Sequence, residues 1–295
     1  MKDVYEVMTN RILENVDSAG KWKPVWRSSG LAMPLNPVTK TRYRGVNIFS
    51  TWITCLVKDY EDNRWASFKQ WQGKGCKVKR GEQGTPIIFF KTYDKTADNG
   101  DVTEHIVARV SYAFNLSQVE GEYADELRAE KEQPQILTSE DQRIARIEAF
   151  IADVGAKVEQ GIQPCYVPSA DFIRMPKLTD FISAEHYYST LFHEHIHWTG
   201  AKHRLDRNLQ PRFNKHAYAV EELVAEMGAA FLSADFGIEN AIKQDNESYL
   251  KGWLDLMKED KRALVSAASA ASKACDYIHE TAAANFNATL YGVAA

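Results

Sequence analysis

The sequence predicts an α+β protein with two domains. A hairpin pattern in the N-terminal half, a polar charged stretch after it, and helical patterns around short strands in the C-terminal half support this class. We place an N-terminal α+β domain at residues 1–120, a linker at 121–138 and a mostly helical domain with a small sheet at 139–295. A chain of 295 residues is long enough for two domains.

The N-terminal half combines helical and strand patterns. Residues 3–17 and 46–58 carry apolar residues at helical spacing. An apolar strand at 86–90 and a second strand at 105–114 flank a polar turn at 94–101. These two strands therefore predict an antiparallel hairpin.

The C-terminal half begins with a capping box. Ser139 and Gln142 open a predicted helix over 141–154, and Gly155 ends it. The elements predicted after it are strands at 165–167 and 171–175, a helix over 185–199, a helix over 221–232, further helices over 245–281 and a frayed tail.

The helix over 185–199 contains the most informative motif of the chain, His193-Glu194-x-x-His197. Two histidines four residues apart lie on one face of a helix, close enough to bind one Zn²⁺. The glutamate between them can take a proton from water at the metal. Ser183 as N-cap and Gly200 as stop fit a helix at this position. The motif predicts a metal site with Glu194 as acid/base.

A zinc site of this kind needs a third protein ligand, and two candidates compete. His203 completes the longer metzincin spacing with Gly200. Glu222 lies on the apolar side of the next predicted helix, one turn before Glu226. Buried acids are costly unless they are paired or ligated, so we predict Glu222 as the ligand and keep His203 as the alternative. Glu226 is predicted either to hydrogen-bond a ligand histidine or to act as an alternative metal ligand.

The net charge of −4 hides an asymmetry between the two halves. Residues 1–119 hold 18 Lys and Arg against 12 Asp and Glu, whereas residues 120–295 hold 18 against 28. Residues 21–91 hold 14 basic residues, 4 acids and five of the seven tryptophans. Basic residues interleaved with aromatics favour single-stranded DNA, because cations follow the phosphates and rings stack on unpaired bases. The candidate contacts are Arg42, Tyr43, Arg44, Trp65, Lys74, Lys77, Lys79 and Arg80.

Most of these aromatics are nevertheless expected in the core, and only two or three need be exposed. The chain shows no apolar run long enough for a membrane span and no visible secretory signal. The four cysteines lack CxxC spacing, which favours a reducing compartment. We therefore expect a cytoplasmic protein without a membrane partner.

The sequence resembles the ArdC antirestriction proteins of conjugative plasmids over nearly its whole length. The matching segments are 24–27, 36–39, 43–47, 64–70, 79–85, 175–176, 187–188, 193–200, 204–205 and 221–226. The resemblance implies an N-terminal domain that binds single-stranded DNA and a C-terminal zincin-like metallopeptidase domain. It implies that His193, His197 and Glu222 bind the metal and that Glu194 is the catalytic acid/base.

The resemblance also implies protection of incoming plasmid DNA from host restriction during conjugation. We expect Zn²⁺ as the cofactor, with Mn²⁺ or another divalent metal as alternatives, and a host restriction or DNA-bound protein as substrate. The oxyanion of a cleaved peptide would be stabilised by Tyr218, His216 or His203, among which the sequence does not choose. The rival interpretations are a DNA-binding or decoy protein with a structural or inactive metal site, and a metal-dependent nuclease.

Overall fold

The structure is a computed structural model. It describes residues 3–14, 24–27, 32–96, 102–132, 139–207, 209, 215–238, 240 and 247–291. These residues form two compact units, Met1–Asn15 with Pro34–Gln135, and Val16–Met33 with Ile136–Ala295. No described helix has both the length and the hydrophobicity that a membrane crossing requires.

The units differ from the predicted boundaries at two places. Residues 121–135, predicted as linker, belong to the first unit, where Ala124 and Leu127 are buried in its core. The segment Val16–Met33 belongs to the second unit. There the ring of Trp26 packs edge-on against Trp253, with centroids 6.1 Å apart.

The first unit contains four helices and seven strands among its described residues. The helices are α1 (Val4–Leu13), α2 (Val46–Lys58), α3 (Phe68–Gly73) and α4 (Glu122–Glu132). The strands are β1 (Leu35–Asn36), β2 (Thr41–Arg42), β3 (Trp65–Ser67), β4 (Lys77–Val78), β5 (Thr85–Thr96), β6 (Val102–Asn115) and β7 (Val119–Glu120).

The predicted hairpin is present and longer than expected. Strands β5 and β6 pair antiparallel from Thr85↔Ala113 to Thr96↔Val102, so both strands extend into the predicted turn. Strand β3 pairs with the other side of β6, which gives the order β3-β6-β5. Strands β1 with β2 and β4 with β7 form two further two-stranded sheets.

Helix α2 covers the outer edge of β5 with polar side chains. The Asn47 amide accepts from the Ile88 N–H at 2.7 Å and donates to the Ile88 carbonyl at 2.8 Å. The Ser50 hydroxyl donates to the Pro86 carbonyl at 2.6 Å. An edge strand exposes unpaired backbone groups, so these bonds satisfy the edge where the helix lies beside it.

The second unit contains five described helices and a small sheet. Its elements are α5 (Glu140–Val154), β8 (Val158–Gln160), β9 (Cys165–Val167), β10 (Phe172–Met175), α6 (Ala184–Thr199), α7 (Lys215–Phe236), α8 (Glu247–Glu259) and α9 (Ala263–Tyr291). Strand β10 lies in the middle, parallel to β8 and antiparallel to β9. Strand β8 was not predicted, and α9 continues through the tail that was expected to fray.

The capping box of α5 has the predicted form. The Ser139 hydroxyl accepts from the Gln142 N–H at 3.3 Å, and the Gln142 side chain accepts from the Ser139 N–H at 3.1 Å. Gly155 ends the helix in the left-handed conformation, with φ of 73°. A residue without Cβ suits that conformation.

Helices α6 and α7 approach each other closely at Gly228. A Cβ placed on Gly228 would lie 2.6 Å from Cδ1 and 2.7 Å from Cγ1 of Ile196. Ile196 is completely buried, and its branched side chain has few alternative rotamers. The absence of a side chain at Gly228 therefore sets the distance between the two helices.

We expect Gly228→Ala to destabilise the protein by about 1–3 kcal/mol, because the added methyl overpacks the interface with Ile196. The matched control is Gly252→Ala in α8, where a Cβ meets no atom within 4 Å. That change should stabilise by up to about 1 kcal/mol through helix propensity. Urea unfolding measures both changes, and Ile196→Ala combined with Gly228→Ala should show coupling. A stabilising Gly228→Ala would contradict the close packing.

Candidate metal centre

Helix α6 presents the two motif histidines to one point. The Nε2 atoms of His193 and His197 lie 3.1 Å apart, and their ring centroids lie 4.7 Å apart. The helix begins where the Ser183 hydroxyl accepts from the His186 N–H, and Gly200 follows its last residue. His193 is 3% exposed and the His197 side chain is 14% exposed, so the pair is largely but not completely shielded from solvent.

Helix α7 brings Glu222 to the same point. Its Oε1 lies 3.4 Å from His197 Nε2, and its Oε2 lies 3.7 Å from His193 Nε2. His193, His197 and Glu222 form a group whose ligand atoms all lie within 4.8 Å of one another. The structure therefore brings together the three residues predicted as ligands.

The spacing fits a divalent ion. Zinc bonds of about 2.0–2.2 Å in a tetrahedral arrangement place ligand atoms about 3.3 Å apart. The separations of 3.1, 3.4 and 3.7 Å among these atoms are close to that value. Two imidazole nitrogens and a carboxylate are also a donor set that zinc and related divalent metals accept.

Glu221 supports His197 from the side opposite the metal position. Its Oε1 lies 3.1 Å from His197 Nδ1. The guanidinium of Arg207 donates to both Glu221 oxygens, at 2.9 and 3.0 Å. Glu221 thus fixes the tautomer of His197 that leaves Nε2 for a metal.

These charges shift the protonation of the group. Burial alone would lower the pKa of His197, but the hydrogen bonds and negative charges of Glu221 and Glu222 raise it to about 10. Burial would raise the pKa of Glu221, but His197 and Arg207 hold it below its usual range. The two carboxylates therefore favour a positive charge at this position, which a divalent cation would provide.

Glu194 is fixed beside the histidines by the small sheet. Its Oε2 accepts from the backbone N–H of Tyr166 at 2.8 Å. Tyr166 lies in β9, which is an edge strand of the order β8-β10-β9. Glu194 is 3% exposed, so this bond orients a buried carboxylate.

A second contact holds β9 in place. The phenol of Tyr166 donates to Asp171 at 2.9 Å. The Arg204 guanidinium donates to both Asp171 oxygens, at 2.8 and 2.6 Å, and lies 3.7 Å above the centre of the Trp198 ring. This cluster joins the turn after β9 to the end of the metal helix.

His203 lies outside the group of three ligands. Its side chain is 65% exposed, and its Nε2 lies 3.4 Å from Asp171. The alternative of His203 as third ligand is thus not what the structure shows, because its loop turns toward β9 and β10. His195 is also no part of the group: its Nδ1 donates to the Leu191 carbonyl, and burial lowers its pKa to about 4.

The other predicted site residues of this unit have the following positions. Glu226 is buried one turn beyond Glu222, and its supporting role stays a prediction. Tyr218 is partly buried one turn before Glu222. The side chain of His216 lies outside the described residues. The role of Glu221 was not foreseen, and the sequence contains no signal for Arg207 as its partner.

The predicted DNA contacts of the first unit are divided between surface and core. The cations predicted to contact DNA are exposed: Arg42, Arg44, Lys74, Lys77, Lys79 and Arg80. Tyr43 is partly buried and donates its hydroxyl to the Trp65 carbonyl at 3.0 Å, and burial raises its pKa to about 12.

The prediction that Trp65 contacts DNA is wrong in this fold. The side chain is completely buried, and its Nε1 donates to Asn63 at 2.8 Å. Trp52 and Trp71 are equally buried. Among the described side chains of this unit, exposed rings occur instead at Phe68, Phe89, Phe90 and Tyr112, which the sequence did not single out.

Two family models match the chain. Residues 2–134 match the N-terminal domain of the anti-restriction factor ArdC. Residues 145–270 match a zincin-like metallopeptidase domain. The first match covers the first unit together with the segment Val16–Met33, and the second match lies within the remainder of the second unit.

Similar proteins span the whole chain. The uncharacterized protein y4eC of Sinorhizobium fredii is 35% identical over 94% of this chain and 92% of its own length. A DNA primase TraC of Escherichia coli is 33% identical over 94% of this chain, which spans only 27% of the primase.

Crystal structures of the ArdC antirestriction protein from plasmid R388 share the fold. The metal-free form has a TM-score of 0.79 and 33% identity, covering 96% of this chain and 98% of that one. The Mn(II)-bound form has a TM-score of 0.77 at the same identity, covering 95% and 98%. Taken with the two domain matches, this similarity shows that the chain belongs to the ArdC family of antirestriction proteins.

Proposed function

We propose that the protein protects incoming plasmid DNA in the cytoplasm by combining a single-stranded DNA-binding unit with a metal-dependent peptidase site. The observation that carries the peptidase proposal is the convergence of His193, His197 and Glu222 beside Glu194. The Mn(II)-bound ArdC structure supports a divalent metal in the family. Zn²⁺ is our first candidate because of the donor set.

The proposed chemistry assigns each residue one task. His193, His197 and Glu222 would hold a divalent cation, which would supply Lewis acidity toward a peptide carbonyl and would acidify water. Glu194 accepts a proton from the attacking water and passes it to the leaving amine. The Tyr166 N–H keeps one Glu194 oxygen on β9, so the carboxylate stays oriented.

The proposed substrate is a protein. It would be either a host restriction protein or another protein that is bound to the DNA. An edge strand next to the catalytic carboxylate can pair with an extended peptide. Of the candidates Tyr218, His216 and His203, we favour Tyr218 for stabilising the oxyanion, since it lies one helical turn from Glu222. The exposed Lys and Arg side chains of residues 40–91 would bring the site to DNA.

Removing Glu222 should weaken metal binding more than removing His203. We expect Glu222→Ala to lower the affinity for Zn²⁺ by more than about 100-fold, since even residues that only support ligands contribute about 10–100-fold. His203→Ala should leave the affinity unchanged. Isothermal titration with Zn²⁺ and Mn²⁺ measures both, and a reversed order would restore His203 as the ligand.

Neutralising Glu221 should weaken metal binding without abolishing it. We expect Glu221→Gln to lower the affinity about 10–100-fold, because His197 loses a charged partner. Competition with a chelator measures the change. The control is Glu185→Gln in the same unit, whose carboxylate pairs with Arg143 at 3.2 Å rather than with a ligand. Equal affinities for Glu221→Gln and wild type would mean that Glu221 does not orient His197.

The variant Glu194→Gln tests the peptidase proposal itself. Glutamine retains an oxygen that accepts from Tyr166, so metal content and folding should be unchanged. Loss of the general base should lower cleavage of a quenched-fluorescent peptide library by about 10²–10⁴-fold. The assay uses the zinc-loaded protein with and without a single-stranded oligonucleotide. Undiminished cleavage would show that Glu194 is not the base.

The same variant separates the rival functions. Full antirestriction by Glu194→Gln in a conjugation assay would favour a protein that acts only by binding DNA or by serving as a decoy for a host protein. Degradation of the oligonucleotide by the metal-loaded wild type would favour a nuclease. Our proposal expects intact oligonucleotide and impaired antirestriction.

A further inference from the structure

The first unit exposes an aromatic pair at the junction of β3, α3 and β6. Phe68 is 52% exposed and Tyr112 is 56% exposed. Ser67 pairs with Ala113 at the end of β3, so Phe68 and Tyr112, the next residues along the two chains, lie at the same end of this strand pair. The ring of Phe68 packs edge-on against Phe114, with centroids 6.2 Å apart. Tyr112 and Phe114 are two residues apart on one strand and therefore share a face.

The backbone at Gly84 lies directly against this face. A Cβ on Gly84 would lie 2.8 Å from Cβ of Tyr112 and 3.1 Å from the Phe114 ring. Gly84 thus lets the chain pass beneath the two side chains. The loop that leads to it carries Lys79 and Arg80, both exposed.

Exposed apolar rings that lie together are informative, because a contiguous apolar patch marks an interaction site more often than a single exposed ring does. The edge-on contact with Phe114 supports the Phe68 ring on one side, which favours an ordered surface for a flat ligand. A preorganised aromatic surface suits unpaired bases, since every base has a π-face.

The charge around the pair identifies the partner. The three segments that build the surface, residues 65–73, 85–91 and 107–115, contain Lys69, Lys91 and Arg109 and no Asp or Glu. Across residues 32–91, ten Lys and Arg side chains are exposed against three acids, Asp59, Glu61 and Glu82. A polyanion is favoured at such a surface.

Other basic positions of the unit are less suited to this task. Lys77 lies directly opposite Glu120 in the β4–β7 pair. The Lys74 ammonium lies 5.2 Å from the centre of the ring of Tyr123, which belongs to the acidic helix α4. Acidic residues near Lys74 and Lys77 thus partly neutralise these two cations. Lys69 directly follows Phe68 in the sequence and is therefore the cation nearest the aromatic pair along the chain.

We propose that Phe68 and Tyr112 form the stacking platform for the unpaired bases of single-stranded DNA, with Lys69 and the 79–84 loop contacting its phosphates. The proposal rests on the proposed DNA-binding function and names its site. It replaces the buried Trp65 as the aromatic contact. Because the platform reads the π-face of a base, it predicts little sequence preference and weaker binding of a duplex.

The test is fluorescence anisotropy of a labelled thirty-nucleotide oligo-dT with the full-length protein. We expect Phe68→Ala and Tyr112→Ala each to lower the affinity roughly 5- to 100-fold without changing its salt dependence. Lys69→Gln should lower both the affinity and the salt slope. The conservative variants Phe68→Trp and Tyr112→Phe should retain binding.

The matched control is Phe286→Ala, which removes a 51% exposed ring from α9 of the other unit. It should bind as wild type. Circular dichroism melting verifies that the platform variants are folded. If wild type fails to bind oligo-dT, the proposed DNA-binding function itself is wrong.

Two outcomes would overturn the platform while leaving DNA binding intact. One is normal affinity in both Phe68→Ala and Tyr112→Ala with a loss in Phe89→Ala or Phe90→Ala, which would place the site farther along the hairpin. The other is unchanged DNA affinity with a changed sedimentation coefficient, which would make the surface a contact between two copies of the chain.

Discussion

The close contact between α6 and α7 is the constraint on which the metal centre depends. Two of the three candidate ligands belong to one helix and the third belongs to the other, so their distances follow from how near the helix axes come. Gly228 allows Ile196 to pack directly against the backbone of α7. Glu222 lies six residues before Gly228 in α7, and one of its oxygens is 3.4 Å from His197 Nε2. The same contact that completes the core therefore sets the geometry of the site.

This centre also concentrates charge where water is scarce. Glu221, Glu222 and Glu226 are all at most 9% exposed, although they carry carboxylates on one helix. Buried charges are tolerated only when they are paired or bound to a metal. Arg207 and His197 pair with Glu221, and an oxygen of Glu222 lies 3.4 Å from His197 Nε2. Histidine ligands must be deprotonated to bind a metal, so metal binding here would release protons and couple metal affinity to pH and to the stability of the fold.

The sequence predicted the elements whose pattern is local. Helices α5 and α6 and the hairpin follow from capping residues and apolar spacing, and Glu222 follows from the cost of a buried acid. Glu221 was missed because its partner Arg207 lies in a loop whose path no periodic pattern describes. The sequence placed Trp65 on the surface because the composition of a segment gives the number of aromatic residues but not the face of the strand on which each side chain lies. Phe68 and Tyr112 became adjacent only through the pairing of β3 with β6.

We propose that one divalent ion binds between helices α6 and α7, at His193, His197 and Glu222. An anomalous difference map from crystals of the zinc-loaded protein, collected on both sides of the zinc absorption edge, would locate this ion. We expect a single strong peak within about 2.0–2.2 Å of His193 Nε2, His197 Nε2 and a Glu222 oxygen, with Glu194 outside bonding distance. A peak that includes His203, or no peak at this position under saturating zinc, would contradict it.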